Sequence, residues 1–328
     1  MQTNMLATVF GASGFLGRHT VRALAKTGWR IKAVCRRPNL ANYLTPAGSV
    51  GQIELVRGNI HDDEAVAKAV EGADAVLNLT GVLFGHGEQS FEHVHVEAAR
   101  RIAKAAKSAG AALLHVSAIG ADIESDSSYA ASKARGERAV REEHPDAVIV
   151  RPSVMFGPED KFFNKFAAMA RYLPFLPLIG AGHTRLQPAY VADVAGAVQL
   201  ALADSAAAGK TYELGGPSIY TFKELMEFIL HETGRHKLLV PVPFFAASVK
   251  AFFLQMPAMI LPVTPLLTMD QVRLLRRDNV VSKGALTFND VGITPHTVEA
   301  VVPGYLWRFH PKGQFRSMTE RAADQRGT

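Results

Sequence analysis

A chain of 328 residues with 48% hydrophobic side chains can bury a sizeable core, which excludes a disordered protein. Its one cysteine, Cys35, excludes an internal disulfide framework, and no Cys/His spacing resembles a zinc site. The formal charge of +6 comes with no nucleic-acid reader motif and no aromatic-interleaved basic stretch, so nucleic acid is not an expected partner.

Only Met1 to Met5 precede the first apolar run, so no signal peptide is expected, and the protein should lie in the cytoplasm, at most peripheral to a membrane. Strand-like runs at Leu6–Phe10, Ile31–Cys35, Ile53–Val56, Ala75–Leu79, Leu113–Ser117 and Ala147–Val150 alternate with helical stretches at Arg18–Thr27, Glu64–Val70 and Glu92–Ser108. Parallel neighbours need helical crossovers, so this rhythm predicts the α/β class: a Rossmann-type doubly wound parallel sheet. Beyond Arg151 the rhythm gives way to Gly- and Pro-punctuated chain, with a strand at Lys210–Leu214 and a helix at Phe222–Glu232. The expected domains are a dinucleotide-binding unit over 1–153, with 187–216 returning to it, and a smaller interleaved unit from 154–186 and 217–306. A basic tail, 307–328, follows.

Directly after the first strand comes Gly11-Ala12-Ser13-Gly14-Phe15-Leu16-Gly17, opening the first helix. Glycines let backbone approach a pyrophosphate, and a helix N-terminus offers N–H groups and a positive dipole end, so Gly11, Ser13, Gly14, Phe15, Leu16 and Gly17 are candidate cofactor contacts. At the end of the second strand an NAD site would carry an acidic residue for the ribose 2′-hydroxyl; here stand Arg36 and Arg37, suited to a 2′-phosphate, so NADP(H) is expected. The alternative is a solvated arginine pair. Asn59 and Ile60 close the third strand beside the expected adenine, and Asn78 and Thr80 close the fourth.

Ser117 ends the fifth strand, and Tyr129 and Lys133 lie four apart in the next helix, on one face. A phenol is a poor acid–base group at neutrality unless an ammonium and an oxidised nicotinamide favour its phenolate. Ser117, Tyr129 and Lys133 are therefore candidate catalytic residues, active or vestigial, and cofactor contacts in either case.

These motifs resemble the extended and atypical short-chain dehydrogenase/reductase superfamily. The run from Arg151 through Pro152, Ser153 and Gly157 to Ala167, and Gln187-Pro188-Ala189-Tyr190-Val191-Ala192-Asp193-Val194, are similar to its branch of dehydrogenase-like accessory subunits of respiratory complex I, in a bacterial version without a presequence. The likeness spans Leu6 to about Trp307. It implies a tightly held NADPH that is not turned over, Pro152 and Ser153 among the cofactor contacts, and docking on complex I at the cytoplasmic side of the inner membrane. Where active members usually carry an asparagine within Val-Asn-Val, completing a proton relay to the lysine, this chain has Val94-His95-Val96. His95 would relay protons itself or serve as a partly buried helix histidine.

The stretch Val240–Met269 is strongly apolar, with Lys250 its one charge before Met269 and prolines at 241, 243, 257, 262 and 265. Prolines argue against a spanning helix, so a hairpin facing an anionic membrane or a partner is expected, the alternative being packing onto the protein's own second domain. His231 and His236 are five apart with Gly234 between them, which reads as a helix end rather than a metal site. Beside the scaffold reading stand an active NADP-dependent reductase of a hydrophobic carbonyl compound, in quinone or isoprenoid metabolism, and a nucleotide sensor.

Overall fold

The computed structural model describes residues 5–85, 87–260, 265 and 267–313, with residues 258–260 described by backbone alone. Six strands come from the first half: β1 (Leu6–Phe10), β2 (Arg30–Cys35), β3 (Ile53–Arg57), β4 (Ala75–Asn78), β5 (Ala112–Val116) and β6 (Val148–Pro152). A seventh, Thr211–Leu214, pairs in parallel with β6. Across the sheet the order is Thr211–Leu214, β6, β5, β4, β1, β2, β3, all parallel. The central strands β1 and β4 are apolar and largely buried, as a sheet covered on both faces demands. The chain leaves β1 for β2 on one side and later returns to β4 on the other, which opens a crevice at the carboxyl ends of the strands.

The helices in order are α1 (Phe15–Lys26), α2 (Asp63–Val70), α3 (Ala98–Ser108), α4 (Ser128–Glu143), α5 (Phe163–Tyr172), α6 (Val191–Ala203) and α7 (Phe222–Glu232). One face of the sheet packs on α1 and α6 through Val21, Leu24, Val194 and Val198. The other packs on α2, α3 and α4 through Val66, Ile102 and Val140. Where one helix was expected over Glu92–Ser108, a wider π-helical turn at Glu92–Glu97 precedes α3. Such turns concentrate at functional sites because they re-aim side chains.

A smaller core joins Phe156 and Phe163 to Leu225, Ile229, Val302 and Leu306. Asp160 anchors it, accepting from the N–H groups of Gly157, Phe162 and Asn164 and, at 2.5 Å, from the Tyr305 hydroxyl.

Among its described residues the apolar stretch is mostly helical, and residues 261–264 and 266, where a hairpin would turn, lie outside the described residues. Leu238–Val242 forms a strand parallel to Phe175–Ile179, and α8 (Phe244–Ile260) follows as one helix before α9 (Met269–Leu274). Pro241 and Pro243 precede α8 and Pro257 falls in its last turn, so 244–256 has no internal proline to break it. Ala247 and Ala251 bury against Val272, whereas Phe245, Phe252, Phe253 and Met256 face outward. Among the described residues no helix is long and apolar enough to cross a membrane.

The chain around Trp307, where a basic tail was expected to start, is bound to the fold. Tyr305 and Leu306 are core, Arg235 donates to the Phe309 carbonyl at 3.1 Å, and Arg308 bonds to Pro158 O and Asn164. Residues 314–328 lie outside the described residues.

Candidate dinucleotide site

The glycine turn sits at the mouth of the crevice. Gly11 adopts a left-handed φ of 80°, Gly14 donates back to its carbonyl at 2.9 Å, and α1 starts with no side-chain cap. The N–H groups of its first turn therefore bring no capping side chain between themselves and an anion. Gly17 is the tightest position: a Cβ there would lie 2.1 Å from Gly11 O, whereas one on Gly14 would meet that atom at 3.1 Å. Ser13 is exposed, Phe15 half-buried, and the Leu16 side chain is core.

Two residues not anticipated from sequence brace this turn. Arg18 reaches back to Gly14 O at 3.3 Å and lies over the Tyr43 ring, and the Tyr43 hydroxyl donates to Ser13 O at 2.8 Å. Arg18 adjoins the glycine motif and could have been suspected; nothing in sequence brings Tyr43 there.

Arg36 and Arg37 follow β2 at the same edge of the sheet, both exposed, and neither guanidinium has a hydrogen bond or ion pair with a described residue. Asn59 is exposed and its side-chain carbonyl accepts from the His61 N–H at 3.1 Å, a turn-forming role; Ile60 packs half-buried against the sheet. Asn78 is fully buried, its Oδ1 accepting from the Thr80 N–H and hydroxyl while its Nδ2 has no described partner. Pro152 ends β6, and the Ser153 hydroxyl is turned to Asn279 Oδ1 at 2.6 Å, tying the late chain to the sheet.

Ser117, just beyond β5, is buried and its Oγ likewise lacks a described partner. Lys133, 4% exposed, donates to Val116 O at 3.1 Å, so its ammonium stands beside Ser117. Burial pushes Lys133 down to about 8, against the pull of Glu137. Tyr129 lies one turn earlier, edge-on to His95 with ring centroids 5.5 Å apart, and burial together with Asp270 pushes its phenol up to about 12. Orphaned polar atoms on Asn78 and Ser117, and a turn with room only for glycine at position 17, fit a ligand offering hydroxyl, amide and phosphate groups.

His95 is buried inside the π-helical turn. Its Nε2 accepts from the Val82 N–H at 3.1 Å, which leaves Nδ1 to donate to Ser132 Oγ at 2.9 Å; that hydroxyl donates to Tyr129 O at 2.8 Å. Burial, then Lys133 and His115, holds the ring down at about 2. With both nitrogens engaged and the cation disfavoured, His95 is held as a neutral imidazole.

The NAD dependent epimerase/dehydratase profile matches residues 7–215. The chain belongs to that family. Solved structures of the same fold align over nearly all of this chain: the NADPH-dependent quinone oxidoreductase of Escherichia coli (TM-score 0.70, 21% identity, 92% of this chain and 100% of that one) and the dTDP-glucose 4,6-dehydratase of Streptomyces venezuelae (0.68, 22%, 96% and 100%). Curated relatives include the mitochondrial NADH dehydrogenase [ubiquinone] 1 alpha subcomplex subunit 9 of Arabidopsis thaliana, 35% identical over 95% of this chain and 79% of that protein. The mouse protein of that name is 35% identical over 90% and 78%. A ceramide reductase of Caulobacter vibrioides is 33% identical over 73% and 74%.

Proposed function

We propose that this protein is an accessory subunit of respiratory complex I that holds NADPH as a structural ligand, peripheral on the cytoplasmic side of the inner membrane. The observation that carries this reading is the extent of likeness. The NADH dehydrogenase subunits align over 90–95% of the chain, past the nucleotide-binding part and through α8 and α9, whereas the ceramide reductase aligns over 73%. At the site, burial and two hydrogen bonds hold His95 neutral, and burial together with Asp270 pushes the Tyr129 phenol up. Arg36 and Arg37 supply the charge a 2′-phosphate would need, and the outward aromatic side chains of α8, with Lys250, suit an anionic membrane surface beside a partner subunit.

Gentle extraction from native membranes tests the assembly: the protein should co-migrate with NADH:ubiquinone oxidoreductase and release NADPH on denaturation. Migration alone, without nucleotide, would overturn the reading. For the cofactor, Arg36→Ala should weaken NADPH tenfold or more, about 1.5–3 kcal/mol, and leave NADH unchanged.

A second reading, an NADP-dependent reductase of a hydrophobic carbonyl compound, is favoured by the retention of Ser117, Tyr129 and Lys133 together with the Caulobacter relative. Steady NADPH oxidation with such a carbonyl compound, abolished by Tyr129→Phe, would establish it.

A further inference from the structure

Helix α4, which carries Tyr129 and Lys133, is capped from the far end of the chain. Asp270, in the first turn of α9, accepts from the Ser128 N–H at 2.7 Å, the Tyr129 N–H at 3.1 Å and the Ser127 hydroxyl at 2.9 Å, while Ser127 Oγ accepts from the Ala130 N–H. The otherwise orphaned donors of the first turn thus all have partners, two of them on a carboxylate more than 140 residues away in sequence. Neighbouring contacts hold it there: Arg277 pairs with Asp122 at 2.9 Å, and Arg273 donates to Asp126 O at 3.2 Å. On its other side α9 is tied to α8, where Gln255 Oε1 accepts from the Met269 N–H at 3.2 Å.

We propose that Asp270 is a positioning residue of the dinucleotide site, through which the α8–α9 segment fixes the first turn of α4 and with it Tyr129. The assignment rests on the reading of Tyr129 as part of that site. Its electrostatic consequence follows from placement. A helix N-terminus normally favours a nearby anion, but here that end already serves a carboxylate, whose charge opposes a second anion at Tyr129. The other groups facing Tyr129 do not offset it: Phe91 and neutral His95 meet its ring, and Lys133, one turn on, is directed to Val116 O. The C-terminal segment is thereby coupled to the protonation of Tyr129.

The test is tyrosine-Cζ carbon-13 NMR on the full chain, with Tyr129→Phe identifying the signal. In the wild type Tyr129 should remain a phenol at pH 10.5, where an ordinary tyrosine is mostly ionised. Asp270→Asn should lower its midpoint by about one pH unit or more while the other six tyrosine signals stay native. An unchanged midpoint in that variant, or a wild-type Tyr129 already ionised at pH 10.5, overturns the assignment. If Asp270→Asn loses the other six signals, Arg273→Ala with Arg277→Ala loosens the segment without touching the carboxylate. A lower Tyr129 midpoint there supports the proposal and an unmoved one overturns it. None of this needs bound nucleotide, so failure to bind NADPH would remove the function proposed above and leave the role of Asp270 to be decided by the titration.

Discussion

Gly136 on α4 faces the main-chain carbonyl of His95 so closely that a Cβ on it would stand 2.0 Å from that oxygen. A glycine inside a helix ordinarily costs about 1 kcal/mol against alanine, so Gly136→Ala should stabilise an exposed helix. Here the sign should reverse. Backbone cannot yield as a flexible side chain can, and α4 would be pushed off the turn that holds His95, a net loss of about 1–3 kcal/mol. Thermal unfolding of Gly136→Ala checks this, with an earlier transition expected and a later one showing that the contact gives way freely.

From sequence Gly14 and Gly17 are equal candidates for letting backbone approach a pyrophosphate, yet the packing makes Gly17 the stricter position. Gly17→Ala would drive its Cβ into Gly11 O and should abolish measurable dinucleotide binding, whereas Gly14→Ala meets the same atom at 3.1 Å and should be milder. Titration calorimetry of both variants decides it; a larger loss in Gly14→Ala would mean that ligand approach, not helix–strand contact, governs the turn.

Acid should destabilise the fold early. Burial holds His95 down at about 2 and His115, enclosed beneath Lys133 with neither ring nitrogen bonded to a described residue, at about 3. Below about 6.5 the unfolded chain takes up two protons that the folded state refuses, so stability is lost as pH falls from 6.5 towards these values. From pH 7.5 to 5.5 the two rings should cost about 2–3 kcal/mol together, read from denaturant midpoints. His115→Leu should remove about half of that slope; an unaltered slope would show that His115 is not buried neutral.

The outward face of α8 can be separated from the nucleotide site. Phe252 and Phe253 are 52% and 63% exposed, and replacing both with Ser removes apolar area worth up to about 2 kcal/mol each if a lipid or protein surface covers them. The double variant should bind vesicles containing anionic lipid, or the parent assembly, at least tenfold more weakly. NADPH affinity should stay near normal because neither ring contributes to a buried core. Joint loss of folding and nucleotide would mark the pair as core instead.

Local sequence determined much of this protein. The alternation of apolar runs and amphipathic stretches set the strands and most helices of the first half, and Gly11–Gly17 marked the tight turn into α1, because both depend on residues adjacent in the chain. The four-residue spacing of Tyr129 and Lys133 put them on one helix face for the same reason. Tertiary structure alone decided what each group can do. The tautomer of His95 depended on Val82 and Ser132, the burden on Gly17 depended on a carbonyl across the turn, and the cap on α4 came from Asp270, more than 140 residues away. Nor could Pro241, Pro243 and Pro257 be weighed until their positions at the ends of α8 were known. Periodicity is local and survives in sequence, whereas burial, tautomer and charge pairing are set by neighbours that only folding brings together.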